Sequence, residues 1–152
     1  MIHDVKIKKL RLIPDDRGRL MEIMRADDDM FNGFGQVYLS TTYPGVVKAW
    51  HYHKLQEDYF ACVRGMVKLV LADTREDSPT KGQISEFVIG ELNPLLVKVP
   101  IGVYHGWKCL GSKESFVINI PTNTYNYEEP DEYRLDPHEN GVIEYDWTTR
   151  DR

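Results

Sequence analysis

The residues best equipped for chemistry fall in two short segments. The first runs from Gly45 through His51-Tyr52-His53 to Glu57-Asp58, and the second is Pro100-Ile101-Gly102-Val103-Tyr104-His105-Gly106. Residues two apart on a strand share a face, so His51 and His53 are expected to project into one space. A barrel that folds back on itself can bring His105 opposite them. Three imidazoles and a carboxylate, either Glu57 or Asp58, form a donor set suited to Fe(II), Mn(II), Ni(II) or Zn(II). Without a metal, the same imidazoles can serve as general bases.

These segments sit among short apolar stretches: Gln36–Ser40, Asp58–Val63, Val67–Leu71, Glu86–Ile89, Leu95–Val99 and Ser115–Ile120. Between them lie turn signals such as Tyr43-Pro44-Gly45, Arg64-Gly65, Asn93-Pro94 and Leu110-Gly111-Ser112. Many short strands at even spacing, without a long amphipathic helix, predict an all-β sandwich or jelly-roll barrel. At 152 residues the chain suits one domain, residues 1–152, with a single apolar core. The polar stretch Thr122–Asn140, rich in Tyr, Asn, Glu and Pro, is expected to be an ordered loop over that barrel. Asp73-Thr74-Arg75 through Thr80 reads as a structural corner, with Pro79 fixing a turn.

Composition narrows the partners. With 41% hydrophobic and 28% charged residues, the chain has no apolar run long enough to cross a bilayer. Its start lacks the pattern of a secretory signal, so a cytoplasmic protein is expected. The net charge of −5 argues against nucleic acid but leaves room for a small anionic ligand held by a few local cations. Cys62 and Cys109 are expected to be free thiols.

The histidine and glycine spacing resembles the cupin motifs, and a longer, ordered set of matches resembles one family. Asp16-Arg17-Gly18 with Glu22, then Gln36, Val47-Lys48-Ala49-Trp50-His51-Tyr52, Val63-Arg64-Gly65, Asp73-Thr74-Arg75-Glu76-Asp77-Ser78-Pro79-Thr80-Lys81-Gly82, Pro100-x-Gly-x-x-His105-Gly106 and Ile143-Glu144-Tyr145-Asp146-Trp147 occur in sequence. This set is similar to the dTDP-4-dehydrorhamnose 3,5-epimerases. The resemblance implies a dimeric cupin jelly roll that needs no cofactor. It would bind a nucleotide-diphosphate 4-keto-6-deoxy sugar and exchange protons beside the ketone, in rhamnose or surface-polysaccharide synthesis. It also implies site roles: His51 as the base, Arg17 and Glu22 at the nucleotide, Lys48 near the phosphates, and Gln36, His53, His105 and Tyr125 lining the substrate pocket.

Four departures mark this chain. Ile118 falls where the family has an acidic tyrosine, and an isoleucine donates no proton. Asp58 falls where the family has a pocket lysine, and His53 where it has a glutamine. The chain stops about where the family continues into a tail whose Asp orients the catalytic histidine, so His51 needs another partner. Tyr38, Tyr59, Tyr104 and Tyr125 are candidates for the missing acid, with Tyr104 counted beside His51 and Asp58 in the catalytic set. Exchanging a lysine for Asp58 while gaining His53 favours a divalent metal held by His51, His53, Asp58 and His105 as the group that stabilises an enolate.

Two further readings stay open at this stage. One is a metal-dependent cupin acting on another small molecule; the other is a module that binds nucleotide sugars without turnover. A 3,4-ketoisomerase is a third outcome of the same enolate chemistry.

Overall fold

A computed structural model describes residues 1–149. It contains twelve strands: β1 (Lys6–Lys9), β2 (Leu12–Asp15), β3 (Gly18–Met21), β4 (Tyr38–Thr42), β5 (Val47–Tyr52), β6 (Asp58–Arg64), β7 (Met66–Asp73), β8 (Ile84–Gly90), β9 (Leu95–Val99), β10 (Val103–Leu110), β11 (Ser115–Asn119) and β12 (Tyr133–Arg134). They form two five-stranded antiparallel sheets, ordered β1-β9-β6-β11-β4 and β12-β5-β10-β7-β8, with β2 and β3 as a separate hairpin. The neighbours in each sheet are mostly distant in sequence, which is how a jelly roll closes a sandwich and covers its edges. The expected all-β fold is present.

The sheets face one another because their strands alternate. In β10 the buried Val103, His105, Trp107 and Cys109 share one face, while the half-buried Tyr104, Lys108 and Leu110 share the other. Phe60, Cys62, Val67, Leu69, Leu71, Ile89, Val97, Val99, Val103, Trp107 and Val117 meet between the sheets as the main core. Toward one end the inward positions turn polar, and Asp58, His105 and Asn119 are buried there.

Two glycines are dictated by geometry. Gly65 turns the chain from β6 into β7 with a φ of 71°, a region that glycine enters without steric cost. Gly106 sits where the β10–β5 register shifts between His105 and Trp107, and a Cβ there would stand 2.2 Å from the Ala49 Cβ. The shift lets His105 stay paired with His51 across the two strands.

The stretch Thr122–Asn140 contributes β12, which pairs Tyr133 with Tyr52 and Arg134 with His51 and so straps the tail to the histidine strand. Farther on, Ile143 and Trp147 pack with Trp50, Val70 and Ala72 on the outer face of that sheet. At the expected corner, the Asp73 carboxylate accepts hydrogen bonds from Arg75, Ser78 and Thr80. Cys62 and Cys109 are both buried free thiols. No helix among the described residues is long and apolar enough to cross a membrane.

Candidate active site

The polar end of the sandwich opens into a cavity of about 950 Å³. Strand β5 and the turn after it bring His51 and His53 to one wall, and β10 adds His105 beside them. Tyr38, on β4 of the opposite sheet, lines the facing wall. Gln36, Lys48 and Tyr125 also line the cavity, and Glu132 and Arg134 join them from the β12 strap.

His51 has its partner. Its Nδ1 stands 2.9 Å from Glu132 Oε1. An ionised carboxylate only accepts, so Nδ1 carries the hydrogen and Nε2 is left as the basic nitrogen. Burial works to keep this imidazole neutral and outweighs the pull of Glu132, holding its pKa below the ordinary histidine value. Glu132 is itself gripped by Arg134 at 2.8 Å. Although burial disfavours its charge, Arg134 and His51 keep its pKa low.

Tyr38 accepts a hydrogen bond from Asn119 Nδ2 at 2.8 Å, and the two are cross-strand partners. Burial and the nearby charge of Asp58 push its phenol up to about 12, so it keeps its proton at neutral pH. A neutral base on one sheet thus faces a protonated phenol on the other.

Behind His51 lies a buried cluster. Asp58 Oδ2 is 3.0 Å from His53 Nε2 and 3.3 Å from His105 Nε2. Burial opposes charge on Asp58, but the two imidazoles, with Asn119, hold its pKa below the ordinary value. Burial likewise works against charge on His53, where Asp58 wins and raises the pKa, and on His105, where burial wins and takes it down to about 4. Of the two acidic residues left open by spacing, Glu57 turns away to Lys98 at 2.8 Å, and Asp58 enters the cluster.

Several expected site residues are placed otherwise. Tyr104 does not line the cavity: strand alternation points it to the far side of β10, where its ring lies 4.5 Å from that of Tyr52. Tyr59 points away too, bonding Met30 O and Asn32 N. Ile118 packs with the cluster around Tyr59 and Leu96. Arg17 and Glu22 lie on or beside the β2–β3 hairpin, paired with Asp15 and Arg25, away from their own chain's cavity. Of the four expected metal ligands, His51 stands apart on Glu132, and only His53, Asp58 and His105 bring donor atoms within 4.8 Å of one another.

Glu132 and Arg134 were missed because they lie in a segment that reads as polar loop. The doublet of β12 is too short for any periodic signal.

Residues 1–152 match the family model described as dTDP-4-dehydrorhamnose 3,5-epimerase. The chain belongs to that family. Within it, a probable low-salt glycan biosynthesis epimerase of Haloferax volcanii is 45% identical over 148 residues, covering 96% of this chain and 94% of the relative. A spore coat polysaccharide biosynthesis protein of Bacillus subtilis is 43% identical over 152 residues, the full length of both. Among solved structures, a dTDP sugar isomerase from Desulfovibrio desulfuricans G20 superposes with a TM-score of 0.91 at 30% identity, covering 99% of this chain and 94% of that one. A dTDP-6-deoxy-D-glucose-3,5-epimerase of Legionella pneumophila, solved with dTDP-4-keto-L-rhamnose, has a TM-score of 0.79 at 25% identity and covers 90% and 74%. Membership in this epimerase family agrees with the jelly roll.

Proposed function

We propose that the protein is a sugar-nucleotide epimerase that inverts C3, C5 or both in a nucleoside-diphosphate 4-keto-6-deoxy sugar, in the service of a surface polysaccharide. The observation that carries this reading is the opposition of His51, oriented by Glu132, and the protonated Tyr38 on the facing sheet.

The C4 carbonyl acidifies the hydrogens on its neighbouring carbons. His51 Nε2 takes one of them, leaving an enolate, and Tyr38 returns a proton from the opposite face, inverting the carbon. The His51 imidazolium then releases the proton it took to solvent, and the Tyr38 phenolate recovers one from solvent. Lys48, whose Nζ bonds Ser40 Oγ and Thr41 O, and Arg134 are the cations on the cavity wall. They suit the diphosphate, with Gln36 bonding the Tyr125 backbone to fix that loop over the opening. This proton exchange needs no cofactor, and a sugar-nucleotide substrate is in keeping with a cytoplasmic enzyme.

Arg17 and Glu22 reach a nucleotide only if a second copy supplies them. A homodimer fits the β2–β3 hairpin, which pairs only with itself and leaves Ile13 and Leu20 exposed.

The test is a proton NMR time course with dTDP-4-keto-6-deoxyglucose in deuterated buffer. The wild type should lose the C3 or C5 proton signal and form the epimer, and His51→Asn should do neither. Exchange that persists in His51→Asn would overturn the assignment of the base. A constitutional isomer as product would overturn epimerisation in favour of ketoisomerisation.

A further inference from the structure

Tyr38 can serve as the acid only if its hydrogen points at the substrate, and the residue that governs this lies behind it. Asn119 is buried in β11, where a short polar amide suits neither the strand nor the core. It is the cross-strand partner of Tyr38, and its Nδ2 donates to the phenol oxygen at 2.8 Å. Asn119 also hydrogen-bonds the Asp58 carboxylate, which only accepts, so the amino end of the amide faces both groups. Asp58 is fixed in turn by Gln56 Nε2 at 3.1 Å on one oxygen and by His53 Nε2 at 3.0 Å on the other. The Asn119 Oδ1, by contrast, is buried with no hydrogen-bond partner among the described residues, an unfavourable state for a carbonyl. Against that cost, the fold retains a buried donor aimed at Tyr38.

We propose that Asn119 is the positioning residue of the acid: anchored by Asp58, it holds the Tyr38 phenol by its oxygen, leaves the phenol hydrogen free to point into the cavity, and donates to the phenolate as the proton leaves. The inference rests on the epimerase reading and on Tyr38 as its acid. A phenol oxygen that already accepts from an amide keeps its own hydrogen for another acceptor. Tyr38 lines the cavity and Asn119 does not, so Asn119 acts through the phenol without touching substrate. Burial and the charge of Asp58 both oppose a phenolate here, and the Asn119 N–H works against them. A hydrogen bond strengthens when its acceptor becomes charged, so this one stabilises the later stages of proton transfer more than the ground state. The buried Asp58 thereby has a task. It keeps the amide from turning its oxygen toward Tyr38, where that oxygen would accept the phenol hydrogen and divert it from the substrate.

The test compares proton exchange with inversion in Asn119→Leu, which removes the donor at similar volume, by proton NMR of the full-length protein with dTDP-4-keto-6-deoxyglucose in deuterated buffer. Deuterium should still enter C3 or C5, since His51 and Glu132 are untouched. Epimer formation should fall by about 10- to 100-fold, the worth of one hydrogen bond to a group that becomes charged. In a Tyr38→Phe background the same substitution should lower inversion by less than about twofold more, because its partner is already gone. Unchanged inversion in Asn119→Leu, an equal fall in exchange and inversion, or fully additive losses in the double variant would each overturn the proposal. Inversion that survives Tyr38→Phe alone would overturn the assignment of the acid, and this inference with it. If Asn119→Leu fails to fold, side-chain amide NMR of Tyr38→Phe gives the answer: loss of the phenol acceptor should shift an Asn119 Nδ2 proton upfield, and an unmoved signal would overturn the proposal.

Discussion

His51 and Glu132 are 81 residues apart in the chain, yet their side chains meet at 2.9 Å because β12 pairs Arg134 directly with His51. The strap thus gives the His51 imidazole an anionic partner. Glu132→Gln keeps the shape but removes the charge that holds the Nδ1 hydrogen and stabilises the imidazolium formed during turnover. The expected result is a fall in kcat of about 10²-fold, within the range contributed by a positioned acid–base group, with KM little changed. Initial rates over a substrate series separate the two parameters.

The strands and the histidines were legible in the sequence for different physical reasons. Short apolar runs marked β6, β7 and β9, which are buried along most of their length, period-two burial marked β11, and Pro-x-Gly-x-x-His marked the turn into β10. Choosing among the tyrosines was beyond that signal. Tyr104 adjoins His105, but alternation sends neighbours to opposite faces, whereas Tyr38 reaches the cavity through a pairing with a strand some eighty residues on. The Glu132 partnership was illegible because it depends on where a polar loop happens to dock.

Tyr38→Phe separates the two halves of the proposed reaction. His51 and Glu132 are untouched, so proton removal continues and deuterium still enters C3 or C5. Without the phenol across the cavity, the carbon is reprotonated mainly from the side it left. Epimer formation should fall by about 10²- to 10⁴-fold while exchange falls far less, as read in a single NMR time course. Equal loss of both would assign Tyr38 to binding instead.

The corner at Asp73 predicts a pH dependence of stability. Its carboxylate is buried and accepts from the side chains of Arg75, Ser78 and Thr80. Burial alone would raise its pKa, but these donors prevail and hold it well below the ordinary aspartate value. A carboxyl depressed in the folded state contributes stability that is fully present above the unfolded pKa, about 4, and is lost as pH falls below it. Urea midpoints should therefore decline on acidification below about pH 4, and Asp73→Asn should flatten that decline. At pH 7 the same variant should cost about 2–4 kcal/mol, since Arg75 loses its charged partner in a half-buried setting.

Gly106→Ala tests whether the register shift in β10 positions the site. The added Cβ would meet the Ala49 Cβ at 2.2 Å and the Lys48 carbonyl at 2.9 Å, a clash with backbone and side chain of β5 that no rotamer relieves. The two strands must separate or slide, and these are the strands that carry His51 and His105. Overpacking of this kind costs about 1–3 kcal/mol, so the urea midpoint should drop with the denaturant slope unchanged. Activity measured well below that midpoint should fall further than stability alone explains, because a shift of about 1 Å at a reacting base costs about 10²-fold. A variant that loses stability but keeps full turnover would show that the shift serves packing and leaves the histidines where they are.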